Sequence, residues 1–257
     1  MQTIDRTVEI LNTVSSVPSG LTLAELTGRL GLPKTTVYRL LQALVKHSLL
    51  RKDDLTKVYR LGPALLILGS DSLNQWDLRS AALPHLRQLA HVTNETVSLA
   101  ALHRDRAICL ETIESERSAP FWVRIGREME FHCAAAGKAI LAYQPDEEID
   151  RILRHKPLTT YTPRTITDIN KLRRHLEQVR LQGYALCDGE VEVGVRAVAA
   201  AVMQRDGRAI GSVTIIAPAQ RLDKRGIDLV LPRLLESTRQ ISAQLGYRPA
   251  RPEPADT

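Results

Sequence analysis

The sequence predicts an α+β protein in two domains: an N-terminal winged helix-turn-helix, a linking helix, and a C-terminal antiparallel sheet flanked by helices. Three observations carry this. Between Thr22 and Leu44, TLAELTGRLGLPKTTVYRLLQAL gives two short amphipathic stretches that meet at one glycine. A basic pair of strand-like segments follows directly, from Leu49 to Leu61. Beyond Arg79 the chain alternates helical periodicity with apolar runs of strand length, and the 257 residues leave room for a second core.

Ile4, Val8, Leu11 and Val14 recur at helical spacing, so Ile4 to Val17 forms a first helix that roofs the module until Pro18, Ser19 and Gly20 break it. Thr22 and Glu25 make a capping box ahead of Leu23, Leu26 and Leu30, and Gly31 ends that helix. Pro33 is suited to the first position of the next helix, where its missing N-H has no partner in any case. Val37, Leu40, Leu41 and Leu44 turn inward there, leaving Lys34, Thr35, Thr36, Tyr38 and Arg39 as donors and cations on the outer faces. Such residues at the front of a second helix meet base edges and phosphates in a major groove. Arg51, Lys52, Lys57 and Arg60 lie on the hairpin, or wing, where they are placed to grip the sugar-phosphate backbone.

Charge distribution agrees. The chain carries a formal net charge of +6, and residues 1–62 hold nine basic against five acidic side chains, so the module expected to meet phosphate carries +4 of it. After it, PALLILGSDSLNQWDL (63–78) is leucine-rich on more than one face, either a linker that pairs with the same helix of a second subunit or one buried on its own domain.

From residue 79 to 247 the reading is a helix over Ser80–Val92 with Pro84 in its first turn, then strands at Thr96–His103, Ala107–Ile113 and Pro120–Ile125. HCAAAGKAILAY opens a helix of small residues, with further helices at Asp146–His155 and Asp168–Gln182. Tyr184–Cys187 leads into an acidic, glycine-containing turn whose Asp188, Glu190 and Glu192 read as solvated charge. Val195–Met203 and Ala209–Ile216 are apolar strands, Ile227–Leu245 is a closing helix, and the proline-rich 248–257 is a disordered tail.

Several classes drop out. Cys109, Cys133 and Cys187 show neither a CxxC nor a Cys/His metal spacing, so no disulfide framework, metal or cofactor is expected, and the thiols read as reduced and buried. No apolar run spans a bilayer and no signal-peptide pattern opens the chain, so no membrane partner and a cytoplasmic location are expected. Without a nucleophile elbow, phosphate-cradling loop or ligand cluster, no enzyme is expected.

Three blocks then carry a resemblance: IDRTVEIL with LTLAELTGRLGLPKTTVYRLLQAL, GREMEFHCAAAGKAILA, and GYALCDGEVEVGVRAVAAAV with GRAIGSVTIIAP. In this order, over Thr3 to Gly246, the chain resembles the IclR family of bacterial transcription regulators. The resemblance implies a GAF-like C-terminal domain that binds a small effector, and a dimer or dimer of dimers on a palindromic operator in double-stranded DNA. By matching positions it implies a pocket lined by Phe121, Val123, Ala135, Ala136, Cys187, Val195, Ala197, Thr214 and Ile216. Cys187 stands where the family commonly has an acidic residue, and Ala197 where it often has cysteine. These departures make the pocket less polar, and favour a small organic acid with an apolar or aromatic body. The competing expectation is a DNA-binding repressor or architectural protein whose C-terminal domain only oligomerises.

Overall fold

A computed structural model describes residues 2–74, 77–115, 123–154 and 156–248. They divide into two compact units, with the boundary between residues 75 and 76.

In the first unit α1 (Gln2–Ser15), α2 (Leu23–Leu30) and α3 (Lys34–Lys46) close on a core of Ile10, Val14, Leu26, Val37, Leu41 and Leu44. The capping box forms: Glu25 Oε2 accepts from the Thr22 amide at 2.7 Å while the Thr22 hydroxyl accepts from the Glu25 amide. Gly31 closes α2 in the left-handed region at φ 62°, donating to the Thr27 carbonyl. Pro33 stands one residue earlier than expected. It is the N-cap of α3, and its carbonyl accepts from both Thr36 and Val37. The wing is β1 (Leu50–Lys52) against β2 (Tyr59–Leu61), antiparallel, with Leu21 bridging to Tyr59 so that the wing is hydrogen-bonded to the start of α2. The next helix, α4 (Pro63–Asn74), counts with this unit.

The second unit opens with α5 (Asp77–Thr93), which corrects the expected helix start at Ser80. Asp77 and Leu78, read as linker, already belong to it, and Pro84 lies inside the helix instead of in its first turn. Burial of Leu78, Ala82, Leu86 and Leu89 on one stripe holds the helix through the hydrogen bond that proline forfeits. The sheet contains β3 (Thr96–His103), β4 (Arg106–Ile113), β5 (Glu128–Met129), β6 (Ala185–Asp188), β7 (Val195–Met203) and β8 (Ala209–Pro218), in the order β5-β4-β3-β8-β7-β6 and antiparallel throughout.

The strand expected at Pro120–Ile125 is corrected. Residues 116–122 lie outside the described residues, and 123–125 run into a turn at Gly126. The pairing with β4 is made instead by β5, after Cys109 exchanges hydrogen bonds with Gly126 and Arg127. The closing helix α9 (Lys224–Gln244) starts earlier than expected because Asp223 caps it through the Gly226 amide, and it absorbs Pro232 in its interior. Of the expected tail, 249–257 lies outside the described residues, as does His155 at the end of its helix.

Alternation along the strands sets what each face meets. Ala185, Cys187, Ala197, Ala199 and Ile216 pack with α6 (Ala135–Leu141), behind which lie α7 (Asp146–Arg154) and α8 (Ile169–Gln182). Val198, Val202, Val213 and Ile215 are buried on the opposite face, where α5 and α9 pack. On the α6 side the facing residues are mostly alanines, so helix and sheet approach closely. Gly137 lets α6 pack against the segment that leads into it, because a Cβ there would stand 2.2 Å from the Glu130 carbonyl oxygen.

Candidate nucleic-acid interface and ligand cavity

Lys34, Thr35, Tyr38 and Arg39 are exposed on α3 and Thr36 is half-buried beside Val37, which is fully buried. The outer face of the second helix is therefore free of packing duties. On the wing, Arg51 and Lys57 are exposed and Lys52 and Arg60 half-buried. Arg51 pairs directly across the strands with Arg60, and neither is ion-paired to a carboxylate among the described residues. Two like charges in register oppose folding of the hairpin unless an anion lies over them. Lys52 leans on the face of Tyr59, its ammonium 5.8 Å from the ring centroid. The turn between the strands is built by Asp53, whose carboxylate accepts from the Leu55 and Thr56 amides, which holds that carboxyl below its usual range. Lys57 takes the left-handed conformation at φ 57° to complete it.

In the second unit a cavity of about 390 Å³ opens between the sheet and the start of α6. Val123, Ala135, Ala136, Cys187, Val195, Ala197, Thr214 and Ile216 all line it. Phe121 and its neighbour Trp122 lie outside the described residues. Sequence reasoning missed the polar rim: Arg127, Glu128, Glu130, Tyr161 and Glu192. The Tyr161 phenol donates to Glu130 Oε1 at 3.0 Å, and burial together with that carboxylate pushes it up to about 12. Glu128 is paired with Lys156 and Arg106. Deep in the cavity, the Thr214 hydroxyl is buried and has no hydrogen-bond partner among the described residues. An unpartnered buried hydroxyl on an otherwise apolar wall is a polar anchor for an occupant.

The thiols are buried, and burial pushes Cys187 above its ordinary range and Cys133 up to about 12, which disfavours the reactive thiolate. His132 is structural, its Nε2–H donating to the Thr159 carbonyl at 2.9 Å. The acidic turn is corrected. Glu190 is buried, with Lys138 Nζ 2.6 Å from its Oε1, and Lys138 is itself wholly buried on α6. Asp188 is held by Arg196 and Arg164. The sequence held one clue: Lys138 sits in AAGKAIL, where every neighbour is small or apolar, and a helix of that composition is buried all round. No helix among the described residues is long and apolar enough to cross a membrane.

A helix-turn-helix with a basic wing, joined in one chain to a sheet that encloses a small-molecule-sized cavity, defines a DNA-binding regulator with a sensing domain. Family models agree over nearly the whole length. Residues 3–54 match the IclR helix-turn-helix domain and residues 70–243 match the bacterial transcriptional regulator IclR C-terminal domain. The chain belongs to the IclR family of bacterial transcription regulators. Among relatives, it is 33% identical to the HTH-type transcriptional regulator KdgR of Escherichia coli over 225 residues, 88% of this chain and 86% of that one. An IclR transcriptional regulator from Alicyclobacillus acidocaldarius superposes with a TM-score of 0.83 at 29% identity, covering 96% of this chain and 99% of that one. An IclR homologue from Microbacterium hydrocarbonoxydans, solved in complex with 4-hydroxybenzoate, superposes with a TM-score of 0.80 at 25% identity, covering 95% and 98%. The protein is thus an effector-responsive, DNA-binding transcriptional regulator.

Proposed function

We propose that the effector is a small organic acid with an apolar or aromatic body, and that it occupies the cavity between α6 and the sheet. The observation that carries this is the lining itself: alanine, valine and isoleucine side chains around the Thr214 hydroxyl, which has no hydrogen-bond partner among the described residues, with Arg127 and Tyr161 at the rim. Such a site takes an apolar body and fixes it by few polar contacts. The 4-hydroxybenzoate complex of the Microbacterium relative supports the same class. The chain acts by binding and not by catalysis, in the cytoplasm, without a cofactor.

DNA binding is assigned to Lys34, Thr35, Thr36, Tyr38 and Arg39 in the major groove, with Arg51, Lys52, Lys57 and Arg60 on the phosphates. The functional form is a homodimer or a dimer of dimers on a palindromic operator. In the first unit, Ile4 and Val8 on α1 and Leu66, Ile67 and Leu68 on α4 are between 50% and 78% exposed, an apolar surface that a second copy would cover. The domain limits read from the sequence, 1–62 for DNA binding, 63–78 for the linker and 79–247 for sensing, are kept in this assignment except at the second boundary, which moves to 76/77 because α5 begins at Asp77.

Capture of genomic DNA fragments by the full-length protein, with and without a panel of aromatic and aliphatic acids, tests the reading. One palindromic site should be enriched, lost in a Lys34→Ala, Arg39→Ala double variant, and changed in occupancy by one member of the panel. Enrichment that no acid alters, combined with unchanged thermal stability across the panel, would leave the second unit as an oligomerisation domain only.

A further inference from the structure

The turn between β6 and β7 supplies a cavity wall that lies outside any helix or strand and is rooted at its two ends, where the Gly189 amide donates to the Val195 carbonyl and the Gly194 carbonyl accepts from the Ala219 amide. Val191 and Glu192 line the cavity from this turn, and Val193 beside them is 77% exposed. Glycines bracket it, Gly189 at φ 69° and Gly194 at φ 83°, both left-handed. Neither is wedged: a Cβ at Gly194 would meet nothing within 4 Å, and one at Gly189 would make only ordinary contacts, with the Arg164 side chain at 3.6 Å and the Glu192 carbonyl oxygen at 3.8 Å. Rotation about both ends is sterically open.

Polar contacts hold the turn instead. Glu190 points inward, and its Oε1 accepts from Lys138 Nζ at 2.6 Å. The Thr162 hydroxyl donates to the Gly189 carbonyl and the Thr165 hydroxyl to the Glu190 carbonyl, each at 2.7 Å. Thr165 Oγ1 also accepts from the Tyr161 and Thr162 amides, so the segment that carries Tyr161 to the rim is tied to the same turn. Three walls of the cavity therefore meet at one buried hub: α6 through Lys138, residues 161–165 through their hydroxyls, and the turn through Glu190. The hub is incompletely satisfied. Glu190 Oε2 is buried without a partner among the described residues, and burial holds this carboxyl above its usual range. Swinging outward returns that oxygen to water but leaves the Lys138 ammonium buried without its counter-charge, so the pair holds the turn closed until that cost is met. Such a contact suits a catch better than a permanent strut.

We propose that residues 189–194 are a hinged flap over the cavity, latched by the Lys138–Glu190 ion pair, and that releasing the latch admits and discharges the ligand. The flap's purpose rests on the cavity being the effector site; the latch is measurable without any effector.

Cys187 reports on it, since this thiol lines the cavity beneath the flap. Cys109 on β4 is equally buried and takes no part in the cavity lining. Native full-length protein is labelled with N-ethylmaleimide and each cysteine quantified by peptide mass spectrometry. Glu190→Gln keeps the shape of the side chain and removes the charge that Lys138 holds. It should speed labelling of Cys187 by roughly tenfold or more while Cys109 stays at its wild-type rate. Thr165→Val, which removes the contact to the Glu190 carbonyl together with those to the Tyr161 and Thr162 amides and leaves the ion pair, should give a smaller increase of the same selectivity. Wild-type rates at Cys187 in both variants overturn the latch, and so does a parallel rise at Cys109 in both, because that is global loosening. Selective acceleration in a protein whose operator binding no acid alters keeps the latch and removes the effector role.

Discussion

Replacing Arg51 and Arg60 together by glutamine should weaken DNA binding while sparing, or raising, the stability of the free protein. The two residues are cross-strand partners and neither forms an ion pair with a carboxylate among the described residues, Asp53 acting on Arg60 only at longer range. Taking the guanidinium groups as about 7 Å apart in water, their repulsion is roughly 0.6 kcal/mol. That falls within the range of a few tenths to about 1 kcal/mol for like charges directly opposed on a sheet. On DNA the balance reverses. Each neutralised phosphate steepens the dependence of log K on log salt by about 0.9, which at physiological salt near ~0.15 M is worth about fivefold in affinity. Losing both contacts should cost about thirtyfold for any duplex and flatten the slope by about 1.8. Fluorescence anisotropy with a labelled random-sequence duplex across a salt series measures the slope, and urea unfolding of the free protein measures the repulsion. A double variant with the wild-type slope, or one that loses only operator affinity, would remove the wing from phosphate binding.

Ala136→Trp should fill the cavity and abolish the response to an effector while operator binding persists; a normal response would move the site elsewhere. Thr22→Ala removes the hydroxyl half of the capping box and leaves the Glu25 carboxylate on the backbone amide of residue 22; it should lower stability by about 1 kcal/mol in urea titration, and an unchanged midpoint would show that the hydroxyl contributes nothing. For pH, burial holds the folded His175 down to about 4 from 6.5, with Lys138 adding to the shift. The folded state therefore binds fewer protons than the unfolded state between these values, so this contribution is complete above 6.5 and is lost as pH falls toward 4. Denaturation at pH 5 should show a loss of about 2 kcal/mol from this group, and His175→Leu should make that part of the profile flat.

Local chemistry made the first unit legible. A capping box and a glycine C-cap act within a few residues, so Thr22, Glu25 and Gly31 could be read directly, and the periodicity of Val37, Leu41 and Leu44 fixed which face of α3 stayed free. In the second unit, β3 and the turn after it were legible because strand alternation and a short polar connection are also local. Pro84 and Pro232 were not: each sits in a helix whose buried stripe outweighs one missing hydrogen bond, and that stripe is set by the sheet it meets. Glu190 misled for the same reason. Two acidic residues in a glycine-bracketed turn, with Asp188 just ahead of it, look solvated until a lysine 52 residues away is seen to lie inside the same core.

Physical limits on the switch follow from the size of the cavity and from linkage. A ligand that fits about 390 Å³ has on the order of ten heavy atoms. At about 0.3 to 1 kcal/mol per atom, its total binding free energy is several kcal/mol. Only the part that differs between the two protein states can move operator affinity. A coupling of about 1.4 kcal/mol gives a tenfold change, which leaves most of the binding energy common to both states. The same coupling must appear in reverse, so operator DNA shifts the affinity for the effector by the same factor and in the same sense. A hub such as Lys138–Glu190 is well placed to supply that difference, because its cost depends on whether the cavity beside it is open to water or filled.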